Sequence, residues 1–454
     1  MFCVFVILSN SNSMFQKTFI MKLQNQTFAV ALLSVVLLSS CTKDKCVQEH
    51  SYSVFEPVYM EYAELRSSVA STDVQPLTNP GKIFIIGDYL FINEVDKGIH
   101  IVDNTNPSSP NFVSFINIPG NIDIAVREHV LYADSYIDLL AIDVSDPTNV
   151  SVTKRIQSVF PQRGESFMMA NIDNSLGAVT GWNEEIVTEE IEVDCSGGGG
   201  WWGGFMEGDA VALNSSGGGT NFSGTQSGGT PRNATPGQGG SMARFAMYAN
   251  YLYAVDHSVM HLFDISSWTD PVKWNEVQIG WNIETIFTYD QKLFIGSQQG
   301  MYIYDNTDPA APQYEGNYWH FTSCDPVVVE GNYAYITLRS GTWCNLGENQ
   351  LDVVNISDPS NPWQVQAYDM TNPHGLGIDD GTLFICDGSD GLKIYDASNP
   401  SSIDQNLLYH YTNITASDVI PYDGLLIMTS AEGIYQYDYN DLSNVSLLSH
   451  IPIN

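Results

Sequence analysis

Basic residues are scarce in this chain: 17 Lys and Arg stand against 52 Asp and Glu over 454 residues, a formal net charge of −35 at pH 7. So acidic a surface repels phosphate backbones and anionic headgroups, which argues against nucleic acid as a partner. Cysteine is sparse as well, seven in all and with no Cys-x-x-Cys pair, so a structural zinc site is not expected. No long segment keeps a 3.6-residue apolar period, which removes helical bundles from consideration. Also missing are a nucleophile elbow, a metalloprotease helix, a phosphate loop and a dinucleotide fingerprint.

What is present is repetition. Seven short β-type runs each close on an acid or amide: Asp103, Asp143, Asp264, Asp305, Asn355, Asp396 and Asp438. The steps between them are 40, 121, 41, 50, 41 and 42 residues. A period near 40 in a β-rich chain is that of a propeller blade of four short antiparallel strands. In the second repeat the strands read as 122–126, 130–133, 139–143 and 150–156. Polar turns such as Ser145-Asp146-Pro147 follow the closing residues. Asx side chains cap such turns and Pro prevents the strand from continuing.

The step of 121 spans three periods, so one further unit is expected between residues 162 and 241, with strands at 167–172, 176–182 and 186–193. After them, Ser196–Gly240 carries 16 glycines in 45 residues and reads as a flexible excursion. The expectation is an all-β propeller of seven or eight four-stranded blades over residues 81–454, eight being favoured. Residues 41–80 form a lead-in, in which 58–69 reads as a strand or short helix and 53–70 supplies a candidate closing strand.

The start of the chain combines Lys22, an apolar run from Phe28 to Leu38, and Leu38-Ser39-Ser40-Cys41. The run is short for a membrane span and fits a signal peptide over residues 1–40, with translation expected to begin at Met21. Leu-Ser-Ser before a cysteine resembles the lipobox of bacterial lipoproteins. The resemblance implies cleavage before Cys41 and acylation there; an ordinary signal peptide with an incidental cysteine is the alternative. Removal of residues 1–40 leaves 15 basic and 52 acidic residues, a net of −37. Thr42 offers no inner-membrane retention acid, so the expected location is the outer membrane, periplasmic or surface-facing. Cys324 and Cys344 bracket a hairpin and a roughly ten-residue enlargement of their repeat. A disulfide between them is expected, with free thiols or soft metal ligands as alternatives. Cys386 reads as a buried apolar residue.

The repeats resemble the bacterial propeller family named for its Leu-Val-Ile-Val-Asp motif. Ser323-Cys324-Asp325-Pro326-Val327 and Pro373-His374-Gly375-Leu376-Gly377 resemble it further. That resemblance implies an extracytoplasmic β-propeller, often a lipoprotein, without an assigned reaction.

Aligning the repeats on their closing residues places Lys82, Asp123, Arg244, Glu284, Asp325, His374 and Asp418 at the heads of the first strands, with Glu165 as a further candidate. First strands line a propeller's channel, so these residues form a candidate ring of mixed charge at one mouth. Three readings stay open: water-facing side chains pairing among themselves, a binding site, or an acid–base centre in which neighbouring carboxylates and His374 split their pKa values. No cofactor is expected; calcium on the turn acids is the alternative to turn capping. Trp201-Trp202 reads either as a sugar or partner contact or as linker. The functional expectation is a binding or scaffolding module, held to the membrane by a lipid anchor, for a protein or glycan partner. The alternative is a polysaccharide hydrolase or lyase.

Overall fold

A computed structural model describes residues 45–164, 172–194, 238–320, 326–340 and 349–454. Cys41, Asp325, Cys324, Cys344, Glu165 and Trp201-Trp202 lie outside the described residues, as does most of the glycine-rich stretch.

Seven four-stranded antiparallel blades make the ring: residues 80–117, 124–156, 245–278, 283–319, 327–369, 376–411 and 416–452, numbered 1 to 7. Of the seven or eight blades expected, seven are present among the described residues, which corrects only the preference for eight. The intervening stretch contributes one long strand, Ala178–Asp194, whose partner is Lys45–Met60, and a two-residue strand, Gln238–Gly239. Of the three strands expected there, 167–172 lies mostly outside the described residues, while 176–182 and 186–193 fall largely within Ala178–Asp194, where the alternation of apolar and charged residues reflects a two-stranded ribbon. Within the lead-in, Tyr62–Ser67 is a single turn of helix that buries Leu65, and Ala70–Thr72 pairs with the outer strand of blade 1. Blades 1 and 7 therefore each hold four strands of their own, and no shared strand closes the ring.

Residues 45–55 and 184–194 form a separate compact unit. There Ser51 and Thr188 hydroxyls meet at 2.9 Å, the Tyr52 hydroxyl donates to Glu189 at 3.0 Å, and the Ser53 hydroxyl donates to Glu184 at 2.6 Å.

Alternation within the strands explains the core. Ile99 and Ile101 of blade 1 pack with Ile124, Val126 and Leu139 of blade 2, and the same face-to-face burial recurs from blade to blade. The polar turns then tie neighbours together. Each closing Asx accepts the backbone N–H two residues on, for example Asp143 from Ser145 at 2.8 Å and Asn355 from Ser357 at 3.0 Å. These bonds hold the Asp143 and Asp396 carboxyls below their ordinary range. A carbonyl of the same turn accepts from the preceding blade: the Tyr132 hydroxyl donates to Trp268 O at 2.9 Å, Tyr253 to Pro309 O at 2.9 Å, and Tyr368 to Pro400 O at 2.8 Å.

Side chains also make the final seam. Asn104 of blade 1 and Gln436 of blade 7, both buried, exchange amide hydrogen bonds of 2.8 and 2.9 Å. Every outer strand carries a register shift against the motif strand, at or within a residue of the motif's fourth position, as between Val353 and Val354. Such bulges twist an edge away from intermolecular pairing.

Candidate functional site

The centre of the ring is occupied by polypeptide. Gln238 and Gly239 pair antiparallel with Ile85 and Phe84 on the inner edge of blade 1. The Gln238 amide donates to Pro421 O of blade 7 at 2.7 Å. Ser241 Oγ accepts the Leu376 N–H at the head of blade 6 at 2.8 Å and donates to Asp418 Oδ1 of blade 7 at 3.3 Å. The Ile286 N–H of blade 4 donates to Ala243 O at 2.6 Å. The Arg244 N–H donates to Asp123 Oδ2, at the head of blade 2, at 2.9 Å, and Phe245 opens blade 3. Residues 238–244 thus touch five blades before they enter a sixth. Gly239 through Ala243 are buried. The expectation of a flexible excursion through Gly240 is corrected for its last three residues: small side chains are what a strand threading a crowded centre requires.

Four of the candidate ring residues meet around this plug. Lys82 and Asp123 form a fully buried ion pair. Burial pulls both towards their neutral forms, Lys82 down to about 7 and Asp123 upward, against their mutual attraction. Arg244 lies with Nε 3.7 Å from Asp123 and Nη2 3.3 Å from Asp134. Asp134 in turn accepts from the backbone of Ile122 and Asp123, both at 2.8 Å, which fixes the head of blade 2. Asp418 is also buried, and burial raises its carboxyl to about 7. Its Oδ1 accepts the Val419 N–H at 3.0 Å, and its Oδ2 has no hydrogen-bond partner among the described residues. A Cβ on Gly240 would come within 2.1 Å of Oδ2, and one on Gly375 within 2.1 Å of Oδ1. Only glycine lets both backbones close on this carboxylate.

Glu284 and His374 belong to a second group. The Arg339 guanidinium lies 2.8 Å from His374 Nδ1 and 3.1 Å from Nε2, and the Asn372 amide is 3.2 Å from Nε2. Burial, and then the Arg339 charge, holds His374 down to about 3, so the ring is neutral at ordinary pH. The Gln298 amide donates to Glu284 at 2.9 Å, and the Glu284 charge supports Arg339 against its own burial. Among the described residues His374 thus meets Arg339 and Asn372 rather than the carboxylates of the candidate ring.

Sequence reasoning missed Asp134, Arg339 and Asn372. It also missed a recurring pair in which an acid at or just past the end of the second strand meets a base at the second position of the motif. Glu94–His100 is such a pair at 3.2 Å, Asp256–His261 at 2.7 Å and Asp387–Lys393 at 2.6 Å. A polar residue where other repeats place Leu140 or Tyr302 was the available signal. The turn acids are engaged in capping, and no group of three or more His, Cys, Asp or Glu among the described residues is placed to hold a metal ion.

Residues 80–117, 122–157, 323–370 and 378–410 match the LVIVD repeat. No curated protein matches the chain. Among solved structures it is similar to the periplasmic gluconolactonase PpgL of Pseudomonas aeruginosa, at a TM-score of 0.50 and 10% identity, covering 82% of this chain and 96% of that one. It is also similar to BamB from Moraxella catarrhalis, at 0.43 and 10%, covering 82% and 98%. At 10% identity the likeness to the gluconolactonase is one of fold alone.

Proposed function

For this chain, an LVIVD-repeat β-propeller, we propose a binding and scaffolding role outside the cytoplasm, with a lipid anchor at Cys41 and a protein or glycan as partner. The observation that carries this reading is the occupied centre. An acid–base reaction in a propeller channel needs paired groups that a substrate can reach. Here Lys82, Asp123 and Asp418 are buried, with Asp123 bonded to the Arg244 N–H and Asp418 to the Ser241 hydroxyl, and His374 is neutral against a guanidinium. The hydrolase or lyase alternative therefore draws no support from the described residues. Loops carried on a rigid scaffold suit recognition instead.

Affinity capture from gently cross-linked cells, with partners identified by mass spectrometry, tests the role. His374→Ala should leave capture of the partner intact; polysaccharide cleavage that this substitution abolishes would reverse the assignment. Metabolic labelling with an alkyne fatty acid, lost in Cys41→Ala, tests the anchor and the extracytoplasmic location together.

A further inference from the structure

The rim of the ring is uneven in one respect. Trp274 on the outer strand of blade 3, Trp281 in the loop leading to blade 4, and Tyr314 and Trp319 on the outer strand of blade 4 are 55, 76, 56 and 61% exposed. Most large apolar side chains of this fold lie between blades, so exposure of this degree on two neighbouring outer edges is not a packing requirement.

These rings are nonetheless held in place. Tyr302 and Trp319 pack edge to face at 6.1 Å, as do Tyr304 and Tyr314 at 5.8 Å and Tyr251 and Trp274 at 6.3 Å. Trp274 Nε1 donates to Ala310 O of blade 4 at 3.1 Å, which draws the two edges together. Gly280 lies against Tyr302, where a Cβ would come within 2.6 Å of the hydroxyl, so Trp281 starts beside the same ring. The Tyr314 hydroxyl donates to Asn317, two residues before Trp319. Perpendicular packing restrains Trp274 and Trp319 through one ring contact each and leaves broad π surface facing water.

We infer that this aromatic rim of blades 3 and 4 is a carbohydrate-binding platform for a neutral oligosaccharide; this rests on the binding-module reading above and names its ligand class. The C–H face of a pyranose is weakly positive and apolar, and it complements the negative face of an indole. Its hydroxyls suit the carboxamides of Asn275, Gln278 and Asn317, which are interspersed with the rings. Charge excludes acidic glycans. The chain carries −35 overall, and the rim cations are already held, Lys273 by Glu276 and Lys292 by Glu315, each at 2.6 Å. Restrained rings also lose little conformational freedom when a ligand stacks on them.

The test is titration of the full chain with cellohexaose, xylohexaose and mannohexaose, with heparin as the anionic control. Tryptophan fluorescence and affinity electrophoresis give the readouts. Binding of a neutral hexaose with a blue shift in emission is expected. Trp281→Ala and Trp319→Ala should each weaken it at least tenfold, and Trp363→Ala, on the outer strand of blade 5, should not. Absence of binding by all three hexaoses, equal binding of heparin, or unchanged affinity in the first two variants would overturn the platform. Should a protein partner be captured while no hexaose binds, the platform fails and the binding-module reading stands. If neither binds, both fail.

Discussion

The hub and the rim of this propeller handle their costly residues in opposite ways. At the hub, carboxylates are removed from water and made safe by pairing: Asp123 with the buried Lys82, and Asp134 with Arg244. At the rim, apolar groups are left in water and made rigid by perpendicular ring contacts. Charges inside and tryptophans outside invert the usual partition. A buried pair is rarely more stabilising than an apolar substitute, so its presence points to a specific arrangement that has to be held. Here the arrangement is the passage of residues 238–244 through the centre. An exposed indole contributes little to folding, so its presence points to something that lands on it.

Breaking the hub should give the largest effect. Asp123→Ala leaves Lys82 buried without its carboxylate and should cost about 4 kcal/mol, while the double replacement Lys82→Met, Asp123→Leu should cost far less. Urea unfolding of both variants checks this; equal losses would mean that the pair does not act as a unit.

The next effect is one of pH. The Asp418 pKa is raised in the folded protein, so its contribution is present at low pH and is lost as pH rises from about 4 to about 7. The His374 pKa is depressed, so its contribution is present above about 6.5 and is lost as pH falls towards about 3. The two slopes oppose each other across nearly one window. Asp123, likewise raised by burial, adds to the slope of Asp418, so each variant is read against the wild-type profile. Asp418→Asn should become more stable with rising pH and His374→Gln less stable. Melting temperatures at three pH values suffice, and parallel profiles for the two variants would refute the assignment.

Gln436→Ala removes one half of the amide pair at the blade 7–blade 1 seam and leaves Asn104 buried without it. A loss of about 1–3 kcal/mol in urea unfolding is expected. At the rim, Trp363→Ala and Trp319→Ala should each change stability by less than about 0.5 kcal/mol. A larger loss would mean that the exposed rings support the fold and would blur the contrast with the hub.

Much of the ring was legible in the chain because it is written seven times. The closing Asx residues, the turn that follows and the alternating strands recur at one period, and the structure realises each as a blade. Blade number was harder. Residues 178–194 alternate like a blade strand, and sequence alternation cannot say whether the partner is the next strand or a segment more than a hundred residues earlier. The plug was hidden for a different reason: Gln238-Gly239-Gly240-Ser241 has no apolar period and follows a glycine-rich stretch, so composition suggested looseness. Position in the repeat did bring Lys82, Asp123, Arg244 and Asp418 together. It gave no sign of Arg339, which follows the second strand of blade 5 and changes the character of His374.

The plug also orders events in time. Residues 238–244 follow blades 1 and 2 in the chain and precede the other five, so the segment can settle against Ile85 and Phe84 while most of its enclosure is still unmade. Each later blade is complete in itself, and the last seam forms as Asn104 meets Gln436 and Ile83 and Ile85 pack with Ile420 and Ile427. A chain delivered from its N-terminal end would therefore assemble as a wall is built around a post, with no finished ring to thread.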